Sequence, residues 1–273
     1  MTSVGSSYDS SSYRSWGRGK AYSAILAALF RQGTPADSAL IAWLDANYSG
    51  QPWAVLKNPS DRFTMQVRGS GSALAWWGDG ASDTYALSGT NTAVSHTYAS
   101  SATRGIIILG NQTQWESTHA TDGTASWTCR TADLPSGMTS LSAWGGSNAL
   151  TGALSDLPSG MTSLDVAGGS NAVTGALSDL PSGMTYLSAW GGSNALTGPA
   201  TTLPSPLSYL RVGGLTSGVV DDALCAMAAN VGASKPLGDR IVQLNEDAAQ
   251  PRTSASDSCV STLTSNGYTV TTA

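Results

Sequence analysis

Apolar and ring-bearing residues recur along this chain in three different rhythms. Between residues 60 and 115 they alternate: Phe63, Met65 and Val67, then Leu74 and Trp76, Tyr85 and Leu87, Val94, His96 and Tyr98, Ile106 and Ile108. Turn residues separate the runs, which predicts short strands packed as a small β-sandwich. Upstream, Tyr22, Ile25, Leu26 and Leu29, then Ala39, Leu40, Trp43 and Leu44, fall at helical spacing on either side of Gly33-Thr34-Pro35. That predicts a helical hairpin in region 19–59, preceded by a polar flexible tail over 1–18. Downstream of 216 the pattern predicts helix Val219–Val231, strand Arg240–Asn245, helix Ser254–Asn266 and strand Gly267–Thr271, an αβαβ cap over 216–273.

The third rhythm is a repeat. Asp133-Leu-Pro-Ser-Gly-Met-Thr recurs at Asp156 and Asp179, a period of 23. Leu134, Leu157, Leu180 and Leu203 align, as do Met138, Met161, Met184 and Leu207, and Leu141, Leu164, Leu187 and Leu210. Ala143, Val166, Ala189 and Val212 follow, then Asn148, Asn171 and Asn194, then Leu150, Val173 and Leu196. A fixed period of this length signals a solenoid over 116–215, in which each unit buries its apolar face only against its neighbours. Leu141 and Ala143, two apart, give a short strand one inward face. The asparagines then point inward as a ladder that satisfies buried backbone of adjacent turns. Pro and Gly on the return side exclude long helices there and predict loops or 3₁₀ turns.

The unit Met138-x-x-Leu141-x-Ala143-x₄-Asn148-x-Leu150-x-Gly152-x-Leu154 resembles a leucine-rich repeat, with two extra residues before the asparagine and Ala or Val at one Leu position. The near-identity of the copies resembles repeats of bacterial surface adhesins and phage tail proteins. Trp77-Gly78-Asp79-Gly80, followed by His96-Thr97-Tyr98, resembles the PKD-type immunoglobulin-like domain. That resemblance implies structural roles for Trp77, Asp79, His96 and Tyr98. The expected fold class is α+β: a short leucine-rich-repeat solenoid with a preceding small β-sandwich and a terminal α/β cap.

If Leu141 and Ala143 point inward, Ser140, Ser142 and Trp144 point out. The same offsets place Ser163, Asp165 and Ala167, then Tyr186, Ser188 and Trp190, then Tyr209, Arg211 and Gly213 on one surface. Exposed aromatics among small hydroxyl residues suit recognition, because rings offer contact area at low entropic cost. Trp144, Asp165, Tyr186, Trp190, Tyr209 and Arg211 are the candidate binding residues. The alternative is that Trp144 and Trp190 pack on each other or on a flanking domain.

Composition narrows the function. Charged residues are only 11% of the 273 and the net charge is −5, the wrong sign for a nucleic-acid partner. Serine (41) and threonine (29) make a neutral-polar surface. The apolar runs are too short for a membrane span, and the Ser-rich start, Met1 to Trp16, lacks the apolar core of a signal peptide. With two histidines, three cysteines and no metal or nucleophile motif, no catalytic residue, metal ligand or cofactor is expected. Cys225 and Cys259 either pair or stay as buried free thiols, the latter favoured by the habit of lone cysteines. Asp133, Asp156 and Asp179 recur at equivalent positions, which suits turn capping better than the facing carboxylates of a glycan-cleaving enzyme.

The expectation is a non-enzymatic virion protein, exposed on the particle exterior: a phage tail-associated adhesin whose aromatic face binds a host surface glycan or protein receptor. It would contact other virion proteins and self-associate in the particle. A capsid or tail decoration protein and a bacterial cell-surface adhesin, extracellular or at the cell surface, are the alternatives.

Overall fold

The structure, a computed structural model, describes residues 53–116, 127–145, 148–231, 240–244 and 251–272. The polar tail and the helical hairpin expected before residue 47 lie outside the described residues. The first described element is strand β1 (Trp53–Asn58), at the end of the region assigned to that hairpin.

The repeat builds a β-solenoid of about four turns with a ~23-residue period. Each turn gives one strand to each of two parallel stacks. The first stack, face A, holds β7 (Ser140–Ser142), β9 (Ser163–Asp165), β11 (Tyr186–Ala189) and β13 (Tyr209–Val212). The second, face B, holds β6 (Thr128–Arg130), β8 (Ala149–Ala153), β10 (Ala172–Ala176) and β12 (Ala195–Thr197). Three-residue 3₁₀ turns at Thr131–Asp133, Leu154–Asp156 and Leu177–Asp179 follow the face B strands, as the Pro- and Gly-rich return side predicts. Between the stacks Leu141, Leu164, Leu187 and Leu210, together with Met138, Met161, Met184 and Leu207, are wholly buried. Each such side chain contributes about 1.5–3 kcal/mol through removal from water.

Local chemistry makes the corners. In the first three turns the residue after Ser-Gly donates its N–H to a proline carbonyl three back (Met138 to Pro135, Met161 to Pro158, both 2.9 Å), and Leu207, after Ser205-Pro206, does the same to Pro204 (3.0 Å). At the other corner Gly191 and Gly192 both take positive φ, and a Cβ on Gly192 would lie 2.8 Å from the Gly168 carbonyl oxygen. No residue with a side chain adopts that pair of conformations cheaply.

The expected α+β class is overturned. Among the described residues strand makes up 43% and helix 18%, and the protein is a mostly-β parallel solenoid. The second side of each turn carries a strand as well as the expected 3₁₀ turn, because five-residue segments such as Ala-Leu-Thr-Gly-Ala find a parallel ladder partner in the turn before, Ala149 opposite Thr128 and Ala172 opposite Thr151.

The other two parts of the expected fold class need correction as well. The strands before the repeat do not stand apart as a small sandwich. β2 (Arg62–Trp76) pairs antiparallel with β3 (Ser82–Ser88), β4 (Thr92–Thr97) and β5 (Arg104–Glu116), and β5 also pairs with β1. The end of β5 then pairs in parallel with β7, Trp115 opposite Leu141. One strand therefore belongs to both parts, and the buried side chains of both form one core. At the junction Gln112, fully buried, accepts from Trp115 Nε1 (2.8 Å) and donates to the Ile108 carbonyl (2.9 Å), while Trp115 meets Trp127 edge to face.

The tail is likewise no separate α/β cap. Its strands β14 (Ile241–Leu244) and β15 (Thr269–Thr272) are parallel and in register with β13, so they add two more rungs to face A. Helices α1 (Ser217–Ala229) and α2 (Asp257–Ser265) connect them. Cys225 on α1 and Cys259 on α2 form a disulfide (Cα–Cα 4.9 Å), so the free-thiol expectation holds for Cys129 alone. Asp221 of α1 adds a polar link, accepting from Thr253 N (3.0 Å), Thr253 Oγ1 (2.5 Å) and Ser256 Oγ (2.6 Å).

Candidate functional site

The outward residues of face A lie in three rows that run along the solenoid axis. Strand pairing sets the first as Gln114, Ser140, Ser163, Tyr186, Tyr209, Ile241 and Thr269, and the second as Glu116, Ser142, Asp165, Ser188, Arg211, Gln243 and Thr271. The ladder continues just past the strand ends, where Gly145 N–H donates to the Ala167 carbonyl (3.0 Å) and Gly168 N–H to the Trp190 carbonyl (2.8 Å). The third row is therefore Trp144, Ala167, Trp190 and Gly213.

All six candidate binding residues thus fall on one surface, but their rings are not equally available. Tyr186 and Tyr209 stack on each other, with centroids 4.2 Å apart and planes 18° apart. The Arg211 guanidinium lies 4.0 Å from the Trp190 ring centroid, in cation–π contact. Trp144 is the large apolar side chain that the surface exposes, at 45%. Trp144 and Trp190 sit two rungs apart with Ala167 between them.

Glu116 and Asp165 are the acids of these rows, and Asp165 is the one among the candidate binding residues. Burial pushes its carboxyl above the ordinary carboxylate range, a rise that the Ala167 N–H (3.3 Å), Ser188 and the Arg211 charge only partly offset. Tyr186 is pushed up by burial and then by the charge of Asp165. Face A therefore offers hydrogen-bond donors and acceptors with little net charge.

Asn171 and Asn194 occupy the inward ladder. Asn171 Oδ1 accepts from Leu150 N (2.8 Å) and its Nδ2 donates to the carbonyls of Ala143 (2.9 Å), Val166 (3.2 Å) and Gly168 (3.2 Å). Asn194 repeats the pattern with Val173 N (3.0 Å), Val166 O (3.0 Å) and Gly191 O (3.2 Å). Asn148 is buried at the equivalent place one turn earlier.

Trp77, Asp79, His96 and Tyr98 come together in the N-terminal part, away from the face A rows in sequence and sheet position. Trp77 and His96 stack (4.9 Å, 8°), His96 Nε2 lies 2.8 Å from Asp79 Oδ2, and the Tyr98 hydroxyl donates to the Trp77 carbonyl (3.0 Å). Burial raises Asp79, but the Ala81 N–H and His96 outweigh it and hold the carboxyl below its ordinary range. The cluster closes the Trp77–Asp83 turn, with Trp77 Nε1 donating to Asp83 Oδ2 (2.7 Å). Among the described residues no group of three or more His, Cys, Asp or Glu could hold a metal ion, and no helix is long and apolar enough to cross a membrane. The repeated aspartates sit at the 3₁₀ turns: Asp133 accepts both Nε (2.7 Å) and Nη2 (2.9 Å) of Arg130, and Asp179 accepts from Ala176 N (3.3 Å).

Reasoning from the repeat missed a second ladder. Thr139, Thr162, Thr185 and Ser208 each donate a hydroxyl to the carbonyl of the equivalent residue one turn earlier, at 3.1, 3.0, 2.9 and 3.3 Å. The signal was present: threonine follows methionine in three copies and serine replaces it in the fourth. Also missed were the residues that lengthen face A at both ends, Gln114 and Glu116 from β5 and Gln243 and Thr271 from the tail.

No protein-family model, curated protein or solved structure matches this chain.

Proposed function

We propose that this chain is a non-enzymatic surface-recognition protein that attaches through face A. The observation that carries the reading is the exposed Trp144 ring at the edge of a hydroxyl-rich surface of nearly balanced charge. Exposed aromatic area on such a ground marks a contact site. The repeat's resemblance to phage tail and bacterial surface proteins, and the PKD-like motif beside it, favour a place on a virion exterior, with a cell surface as the alternative. The Cys225–Cys259 bridge fits either, since such bonds persist in oxidising surroundings. Many weakly binding copies on one particle would sum to firm attachment.

A second reading, a decoration protein whose face A packs against its own particle, is favoured by the Tyr186–Tyr209 stack and the Arg211–Trp190 contact, which already engage three of the four rings of that face. Attachment of labelled protein to host cells separates the two. Loss of attachment on Trp144→Ala supports recognition; particle incorporation that needs Trp144, with no cell attachment, overturns it in favour of decoration.

A further inference from the structure

The second and third rows of face A repeat every two rungs rather than every one. The first and third copies read Ser142-Ala143-Trp144 and Ser188-Ala189-Trp190, whereas the second and fourth read Asp165-Val166-Ala167 and Arg211-Val212-Gly213. Outside, rungs with an indole in the third row carry serine in the second, and rungs with a charge in the second carry only Ala or Gly in the third. Inside, the same alternation appears as Ala143 and Ala189 against Val166 and Val212, all buried. The leucines, methionines, asparagines and threonines keep the single period, so inside the core the double period is confined to the Ala/Val position that lies between the two outward rows. Neighbouring rungs are about 4.8 Å apart, so the two indoles recur at about 9.5 Å along the axis.

Resting on the recognition reading above, we infer that face A binds an uncharged, extended β-1,4-linked glycan laid along the solenoid axis, across the strands. In such a chain each sugar is turned over relative to the last, so every second ring presents the same apolar face, at a spacing close to two rungs. Trp144, 45% exposed, would meet one such ring, and Trp190 the ring two rungs on once the Arg211 guanidinium moves off it, with the intervening sugar passing over the buried Ala167. In the row beside them Ser142, Asp165 and Arg211 set hydroxyl, carboxylate and guanidinium groups on three of the four rungs, Ser188 being buried, which suits a ligand with hydroxyls along its length. A polyanion finds one base against Asp165 and Glu116, and that base already lies on Trp190. An extended polypeptide repeats at about 6.7 Å and falls out of step. A polyproline helix repeats at about 9.3 Å but has no backbone N–H at proline for the polar row.

The test is co-sedimentation of the full chain with cellulose, chitin, starch, polygalacturonate and poly-L-proline, followed by titration with β-1,4-linked oligosaccharides of increasing length. The expected result is binding to cellulose or chitin, with a gain in affinity once three sugars span both indoles. Trp144→Ala and Trp190→Ala should each weaken binding at least 10-fold with an unchanged thermal midpoint, and Trp144→Phe, which keeps a ring, should retain most of it. Preference for starch, polygalacturonate or poly-L-proline overturns the inference, as does cellulose binding that Trp144→Ala does not change. If no glycan binds while cell attachment still needs Trp144, the glycan assignment fails and the recognition reading survives. If attachment is also indifferent to Trp144, both fail.

Discussion

Replacing Asn171 by alanine should cost this protein a large part of its stability without touching face A. The side chain is fully buried and serves four backbone groups. Two of them, the Leu150 N–H and the Ala143 carbonyl, would lose their Asn171 bond inside the core. The Val166 carbonyl keeps Asn194, and the Gly168 carbonyl lies nearer the surface. A buried polar group left without a partner costs about 1–3 kcal/mol, so the pair amounts to about 2–6 kcal/mol. Native stabilities are about 5–15 kcal/mol, and at this chain length each kcal/mol moves the midpoint by about 2–4 °C. Asn171→Ala should therefore lower the thermal midpoint by roughly 5–20 °C. Asn194→Ala should cost less, because the Val166 carbonyl retains Asn171. Thr174→Ala, which removes an exposed 3.3 Å bond to the Gly152 carbonyl, should change stability by less than about 1 kcal/mol. Urea unfolding followed by circular dichroism measures all three. An Asn171→Ala variant within 1 kcal/mol of wild type, or no worse than Thr174→Ala, would refute the account of the ladder.

Four further outcomes follow from the geometry. Gly152 has φ +107° and a Cβ there would lie 2.4 Å from Thr131 Oγ1, whereas Gly168, at φ +62°, has open space; Gly152→Ala should thus destabilise by clearly more than Gly168→Ala, whose cost is about 1 kcal/mol of backbone strain, by thermal melts. Opening the Cys225–Cys259 bridge frees a 34-residue separation, worth about 4 kcal/mol by loop entropy, so the Cys225→Ser/Cys259→Ser variant should melt lower while buried Cys129 stays unreactive to iodoacetamide in the native protein. Because the folded protein raises Asp165 above its ordinary 3.8, it binds that proton more readily than the unfolded chain, and stability falls as pH rises from about 4 through the raised value. Asp165→Asn should accordingly stabilise at neutral pH and lose that advantage at pH 3; an equal effect at both would contradict the burial argument. Asp79 runs the other way: its contribution is present above its ordinary value and disappears as pH falls through the lowered one, so Asp79→Asn should destabilise at neutral pH and make little difference at pH 2.

Much of the solenoid was legible in the amino-acid order alone. A period of 23, an inward leucine two residues from an inward Ala or Val, and an asparagine at one fixed offset define which side chains face in and which face out. That works because alternation along a strand is local and needs only the chain's own residues. The same logic placed Trp144, Asp165, Tyr186, Trp190, Tyr209 and Arg211 on one surface and found both helices and both strands of the tail. What tertiary structure decided is whatever depends on a neighbour far away in the chain. That face B is strand, that β5 runs from the N-terminal part into the solenoid, and that β14 and β15 prolong face A follow from ladder partners that a linear pattern does not name. Cys225 meets Cys259 only because α1 and α2 lie side by side. The stack of Tyr186 on Tyr209, and the seat of Arg211 on Trp190, arise when residues 21 to 23 positions apart are brought onto adjacent rungs, so the number of rings left for a ligand is set by folding and not by composition.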